Sequence, residues 1–260
     1  MIAIVSQLIQ AKELLWAWTS RIVRSRYQQS VLGGLWIIVQ PVATAILFTV
    51  VFTFFVPVNT GEIPYVVFSY TALTPWLLFA NGLNDMANSL VENMQLVTKI
   101  YFPREILPIA ALLARLLDFL VAVGLLFILI LYFRVPLFAI GWFYLPVILA
   151  IQLILLLGLG LALATLNVFY RDVKPLLTLI IQLWFYASPI IYPVSMVPEQ
   201  FQSFYFLNPM AGILEAYRAV LLDGNPPGLH LMLSGSMALI IAAAGYWFFK
   251  RTEFQFADVV

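Results

Sequence analysis

The run from Trp142 to Val168, WFYLPVILAIQLILLLGLGLALATLNV, carries no Asp, Glu, Lys or Arg. A hydrocarbon core of about 30 Å is crossed by roughly 20 apolar residues rising about 1.5 Å each, so this run is long enough to span a bilayer. Backbone polar groups have no water to bond there, and the run is predicted to be helical. Five further stretches meet or approach that length: Leu35–Val56, Ile63–Leu83, Leu113–Phe133, Leu176–Tyr192 and Leu229–Phe249. Leu176–Tyr192, fifth in chain order, is short and runs into Ser188-Pro189-Ile190-Ile191-Tyr192-Pro193, so it is expected to span only with help from neighbouring helices. The expected fold is an all-α membrane protein with about six transmembrane helices.

Composition agrees with that reading. The chain has 260 residues, 63% hydrophobic and 10% charged, where a soluble domain carries about 25% charged residues. The apolar stretches leave no room for a separate soluble domain, and one membrane domain over 31–260 is expected behind an amphipathic cytoplasmic segment, 1–30. Thirteen basic residues against twelve acidic ones give no charge signal for a nucleic-acid partner. The absence of cysteine excludes disulfides, thiolate metal sites and a cysteine nucleophile. No GxxxxGK[ST] phosphate loop, HExxH or GxSxG is present, and the single histidine, His230, has no ligand-spaced companions. A membrane-embedded glycosyl or lipid transferase would need an acidic pair and a nucleotide-sugar domain, neither of which is evident. Ion-coupled carriers and channels place ionisable residues deep in their spans, whereas here they sit near the ends. Energy for transport is therefore expected from another subunit.

The N-terminus does not read as a signal peptide, because Lys12 and Glu13 interrupt the position of an apolar core and no basic region precedes it. Ser6, Gln10, Glu13, Ser20, Arg21 and Arg24 share one arc of a helical wheel, opposite Ile4, Leu8, Leu15, Trp18 and Ile22. That pattern suits a helix lying in the membrane interface or one packed on its own protein. Basic residues set the orientation. With the N-terminus inside, the inner segments hold Lys12, Arg21, Arg24, Arg26, Lys99, Arg104, Arg171, Lys174, Lys250 and Arg251, and the outer ones only Arg134 and Arg218. Both termini are thus expected in the cytoplasm. The inner stretch Asn84–Pro108 reads as long and amphiphilic. The outer stretch Pro193–Gly228 holds an apolar piece, Met210–Leu222, too short to span, and a re-entrant hairpin between helices five and six is expected there.

Several stretches, in order, resemble the permease subunits of ABC-2 type exporters of lipid-linked polysaccharide. They are Arg26-Tyr27-Gln28-Gln29-Ser30-Val31-Leu32-Gly33-Gly34-Leu35-Trp36 with Gln40-Pro41, then Val97-Thr98-Lys99-Ile100-Tyr101-Phe102-Pro103-Arg104-Glu105-Ile106-Leu107-Pro108. Asn167-Val168-Phe169-Tyr170-Arg171-Asp172-Val173, the Ser188-Pro189 to Pro193 run, and Leu207-Asn208-Pro209 with Glu215, Tyr217 and Arg218 complete the set. Each is weak alone, but their order and spacing cover nearly the whole chain. The likeness is nearest to the O-antigen exporter permeases of Gram-negative bacteria, with capsule and teichoic-acid exporters as cousins. It implies a single ABC-2 transmembrane domain over 1–260 in the cell inner membrane. It further implies a homodimer working with two copies of a separate ABC ATPase, and a channel along the dimer axis. The cargo implied is undecaprenyl-pyrophosphate-linked O-antigen polysaccharide. No cofactor is expected on this chain, ATP and Mg belonging to the ATPase. Exporters of capsule, teichoic acid, another lipid or a drug share the architecture and remain open as alternatives.

The resemblance makes the segment around Val91–Tyr101 a coupling helix, with Met94, Val97, Ile100 and Tyr101 as its apolar face and Gln95 and Lys99 on its rim; on its residues alone it could equally be an interfacial helix on lipid headgroups. Arg171 and Asp172 in the second inner loop are either a second ATPase contact or, for the basic residue, a topology anchor. Phe48, Phe52 and Phe55 in the first span, with Trp184, Phe185 and Tyr192 in the fifth, offer aromatic faces on which a pyranose can stack, or helix packing. Arg21, Arg24 and Arg26 lie where they could attract a pyrophosphate headgroup or anionic lipid. Arg115 and Asp118, three apart on one helix face, are suited to pair or to line a substrate entrance. The resemblance makes Asn208, Pro209, Glu215 and Arg218 part of an outer gate, with Glu215 and Arg218 again at pairing distance.

Overall fold

The computed structural model describes residues 11–28, 33–100, 102–137 and 139–257. Its elements there are helices, with no strand among the described residues. In chain order they are α1 (Lys12–Tyr27), α2 (Trp36–Val50), α3 (Tyr65–Glu92), α4 (Met94–Lys99), α5 (Ile106–Tyr132), α6 (Leu145–Phe169), α7 (Val173–Tyr186), α8 (Glu199–Tyr205), α9 (Pro209–Leu221) and α10 (Leu229–Thr252). A 3-10 turn before α2 and a π turn after it, Val51–Phe55, extend the first span to Gly33–Phe55. Among the described residues, five helices are long and apolar enough to cross a membrane. The sixth, α7, has 14 residues and reaches about 21 Å, short of a hydrocarbon core.

The expected boundaries need three corrections. The second span does not stop at Leu83. It runs on through Glu92, because Asn84 and Asn88 donate side-chain hydrogen bonds to the carbonyls of Ala80 and Asn84 and so stay compatible with the helix. The polar stretch expected as a loop is therefore the helix's own extension beyond the lipid, and the inner connection begins only at Asn93. The third span likewise starts at Ile106, seven residues before its apolar run was expected to begin at Leu113. In the fifth, the helix stops at Tyr186, before Ser188-Pro189, because proline disfavours helical backbone in the residue preceding it.

α3 is the central helix: 83% of its apolar window is buried, against 11% for the first span. Asp85 against Arg115 and Tyr70 against Ala122 place α5 antiparallel to it. Gln152 against Pro75 and Asn167 against Ala87 place α6 parallel to it. α10 crosses α6 where Gly158 and Gly245 let the backbones touch. A Cβ on Gly158 would lie 2.6 Å from the backbone of Ala242, and one on Gly245 would collide with the carbonyl of Gly158. Small residues are what membrane helices use for such contact, since lipid offers no hydrophobic drive to association.

The described part of the amphipathic N-terminal helix packs on the protein itself. α1 lies on α5 with Thr19 buried and Ile22 against the main core. Ser6 and Gln10 fall outside the described residues. A second, smaller core closes the same end of the bundle. There Leu90, Val97, Leu107, Leu161, Ala164, Phe249 and Phe256 gather with Trp18, Met94, Phe102 and Phe169.

Candidate functional site

Chemistry-bearing side chains collect at the two ends of the bundle. At the α1 end, α4 is a six-residue helix whose Val97 is 2% exposed and plugs the smaller core. Val97 therefore packs inward in the single chain, where the sequence reading puts it on an outward apolar face with Met94, Ile100 and Tyr101. Met94 is half-buried on the same core. What α4 presents outward is Gln95, Thr98, Lys99 and Ile100. Tyr101 lies outside the described residues. The neighbouring connection exposes Tyr170, Arg171, Asp172 and Lys174, and Phe169 before it joins the core that Val97 fills. The two inner connections thus share one apolar foundation.

That foundation includes the turn after α10, which the sequence reading did not single out. Phe256 is fully buried, with its ring 5.9 Å from Phe169 and 5.7 Å from Phe249. Arg104 stacks over Phe256 and hydrogen-bonds the carbonyl of Glu253. Lys250 pairs with buried Glu105 and with Glu253 at 3.0 and 3.1 Å. A late phenylalanine after a basic helix end is a signal visible in the sequence, but not one that points to a particular neighbour.

Arg115 and Asp118 do pair, at 3.2 Å, within a larger network. Arg115 Nε bonds Asp85 at 2.6 Å, and Arg26 donates to Asp85 at 2.7 Å and to Asp118 at 2.5 Å. Two cations and two anions, their side chains 15–25% exposed, tie α1, α3 and α5 together. Arg26 is consequently committed to carboxylates rather than free for a headgroup. Arg21 stacks on Trp18 at 4.6 Å, and both Arg21 and Arg24 are exposed. Asp85 falls in the inner stretch Asn84–Pro108, which the sequence places beyond the second span. A lone carboxylate on a long span would have demanded a cation, and that was the available signal. A cavity of about 280 Å³ opens beside the network, bounded by Trp36, Gln40 and Asn81.

Between the ends the predicted aromatic residues form a ladder within the chain. Phe48 meets Phe52 and Phe185, Phe52 stacks on Tyr65, and Phe185 and Trp184 meet Trp76 and Phe79. These rings hold α2 and α7 to α3. Phe55, by contrast, is 76% exposed.

At the opposite end, the break after α7 is held by side chains from three elements. Asn208 caps α9 by accepting from the backbone N–H of Met210, with Pro209 at the first helical position. The same oxygen accepts from Trp184 Nε1 at 2.7 Å, and the amide donates to Ser188 Oγ at 2.9 Å and to the carbonyl of Ala187 at 3.2 Å. Tyr65 donates to the carbonyl of Ile191. Tyr192 donates to the carbonyl of Tyr186 and accepts from Tyr205. Arg218, 3% exposed, lies 3.7 Å over the Phe68 ring and donates to the carbonyls of Ile190 and Tyr192. The expected Glu215–Arg218 ion pair is not made: the two terminal guanidinium nitrogens turn to the broken backbone, and Nε is buried without a partner. Burial pulls Arg218 down to about 10 and raises Glu215 and Asp223 from their ordinary values, which Arg218 partly offsets. These three residues border a cavity of about 370 Å³ with Asn59, Thr60 and Ser195. Among the described residues no three His, Cys, Asp or Glu converge as metal ligands.

A bundle of this kind, with a helix break and two short helices before its last span, matches one family over most of its length. The profile of the ABC-2 type transporters aligns with residues 13–222. The chain belongs to the ABC-2 type transporter family. It is a multi-pass membrane protein and a transport subunit by family. This ABC-2 chain is 29% identical over 260 residues to an O-antigen export system permease protein, RfbA, of Myxococcus xanthus, covering 98% of each chain. It is 29% identical over 250 residues to an RfbA of Klebsiella pneumoniae, covering 95% of each. A polysialic acid transport protein, KpsM, of Escherichia coli is 27% identical over 239 residues, with 90% of this chain and 91% of that one covered.

Proposed function

We propose that this chain is the membrane-spanning subunit of an ATP-driven exporter that carries undecaprenyl-pyrophosphate-linked O-antigen polysaccharide across the cell inner membrane. The observation that carries the reading is the end-to-end alignment with O-antigen export permeases, 98% of both chains in one case. Two copies of the chain pair with two copies of a separate ABC ATPase, on which ATP and Mg reside. The α1 end faces the cytoplasm, in keeping with the basic residues clustered there, and both termini lie on that side.

The inner docking surface is the exposed rim of α4, Gln95, Lys99 and Ile100, with Arg171 and Asp172 beside it. Val97, Phe169 and Phe256 form the apolar base through which a push on that rim reaches α3, α6 and α10. Arg21 and Arg24 supply the free positive charge at the entrance for a pyrophosphate headgroup, while the Arg26–Asp85–Arg115–Asp118 network fixes α1 in place. The first span and α7 leave Ile46, Leu47, Val50, Leu176, Leu179, Ile180 and Leu183 exposed, an apolar face suited to a second copy of this chain. Asn208, Pro209, Glu215 and Arg218 hold the outer break and belong to the outer gate, where α8 and α9 form the re-entrant element.

The likeness to the polysialic acid transporter supports a second reading with the same architecture, export of a capsular polysaccharide. Deleting the gene and assaying both surface and lipid-linked glycan tests the reading. Surface O-antigen lost while lipid-linked polymer accumulates inside is the expected outcome. Loss of capsule with O-antigen intact moves the assignment to the second reading, and unchanged surface glycan overturns both.

A further inference from the structure

The last helix, α10, is held at both of its ends. At the inner end a cation from each side meets an acceptor on the other. Lys250 of α10 donates at 3.0 Å to Glu105, which is fully buried and caps the start of α5. Arg104, from the elbow that leads from α4 into α5, donates back to the carbonyl of Glu253 and lies over the Phe256 ring. Phe249 and Phe256 then fill the small core that Val97 of α4 also enters. Drawing α4 away from α10 therefore opens a buried ion pair, and a buried charge left without its partner is strongly unfavourable.

At the outer end the contacts are with α9 and the turn before it. His230, in the first turn of α10, stacks on Phe206 with ring centroids 3.5 Å apart and planes 5° from parallel. Phe206 is buried and lies two residues before Asn208, the cap of α9. Gly212 of α9 approaches the same turn so closely that a Cβ there would lie 2.8 Å from the carbonyl of His230. Between the two ends run 24 residues of continuous helix with no proline to break it, a length of about 36 Å. The central helix α3 also reaches α4, through Asn93. It is enclosed, however, with 83% of its apolar window buried against 22% for α10. A helix packed on every side shifts only by repacking the core around it, and α10 is free of that constraint over much of its surface.

We infer that α10 is the strut that links the inner docking surface to the outer gate, with Glu105, Lys250 and His230 as its positioning residues. A displacement of α4 passes through the Glu105–Lys250 and Arg104–Glu253 clasp into α10. The stack of His230 on Phe206 and the close approach of Gly212 deliver it to α9. Rigid helices joined by packed contacts are the means by which distant sites are coupled. This role rests on the proposed docking of the ATPase at α4. It is independent of the cargo, so its test does not depend on which polysaccharide is exported.

The measurement is hydrogen exchange of amides 210–221 in the intact complex with its ATPase in nanodiscs, with and without ATP, Mg and vanadate. Trapping with vanadate is expected to change their protection in the parent. Lys250→Met is expected to lose that change, and Lys250→Arg, which keeps a cation for both glutamates, to retain it. Because Lys250→Met leaves Glu105 buried without its cation, the double variant Glu105→Gln with Lys250→Met is made beside it and is expected to lose the change as well. His230→Ala, at the opposite end from the docking surface, is expected to keep the ATPase bound and hydrolysing while the response of α9 is lost. His230→Phe keeps a ring on Phe206 and is expected to restore it. A purely structural role would lower the melting temperature without separating hydrolysis from the response of α9. Parent amides that ignore trapping, or Lys250→Met and His230→Ala variants that respond as the parent does, overturn the strut. Failure of the docking proposal is read separately, as ATPase that still copurifies with Lys99→Glu.

Discussion

Asn208 concentrates more structure than any other single residue at the outer end. Its oxygen serves both the first free N–H of α9 and the indole of Trp184, and its amide grips Ser188 and the carbonyl of Ala187. An aspartate could accept as well but could not donate. Asn208→Ala removes a helix cap and the ties across the break, so a loss of about 2–3 kcal/mol is expected, read as a lower melting temperature in detergent. Asn208→Asp should lie between the two, keeping the cap and losing the grip on Ser188. An alanine variant as stable as the parent would mean that the break is held elsewhere. The Asn-Pro pair was readable as a functional mark, and its capping role follows from residue types alone. The partnership with Trp184 was not readable, because it joins positions 24 apart across a helix end whose place only packing decides. The same holds for Asp85, whose meaning depended on knowing that α3 continues past Leu83.

At the scale of elements, spans with strong apolar periodicity were legible and the pieces between them were not. Residues 193–228 read as an outer stretch with a re-entrant hairpin around Met210–Leu222, and α9 there packs against α3, α6 and α10 through contacts that hydropathy does not encode. α9 carries a titratable consequence. Its Glu215 is raised by burial, with Arg218 opposing and Asp223 adding to the shift. A carboxyl raised in the packed state favours that state when protonated. Packing of α9 against the break should therefore strengthen as pH falls from neutral toward the ordinary carboxylate value of 4.5, and bear the full cost of the charged form above the raised value. The protection of amides 210–221, exchange corrected for its intrinsic pH dependence, is expected to rise over that range. Glu215→Gln should show high protection already at neutral pH and no change with pH; a variant that keeps the parent's pH dependence would assign it to Asp223.

For the molecule as a whole, the bundle behaves as two cores around one central helix. The larger core fixes α3 among its neighbours, and the smaller one gathers α4, the Phe169 connection and the turn ending in Phe256. This division separates two residues that the sequence reading puts on one apolar face, Val97 being buried and Ile100 exposed. Val97 and Ile100 are equally apolar in composition, and only the presence of Phe256 beneath α4 determines which of them faces inward. The network of Arg26, Asp85, Arg115 and Asp118 has a consequence of another kind. Its two positive and two negative charges sum to zero, so helices that rock together carry no net charge through the bilayer's electric field. A displaced elementary charge would weigh one conformation over another by about 2.3 kcal/mol per 100 mV. The cycle without cargo, whose pyrophosphate is itself charged, should therefore run at the same rate in polarised and depolarised vesicles. In Asp85→Asn one positive charge is left uncancelled, and a rate that then varies with the imposed voltage would mark this network as part of the moving body. A voltage-blind Asp85→Asn variant would place it in the stationary frame.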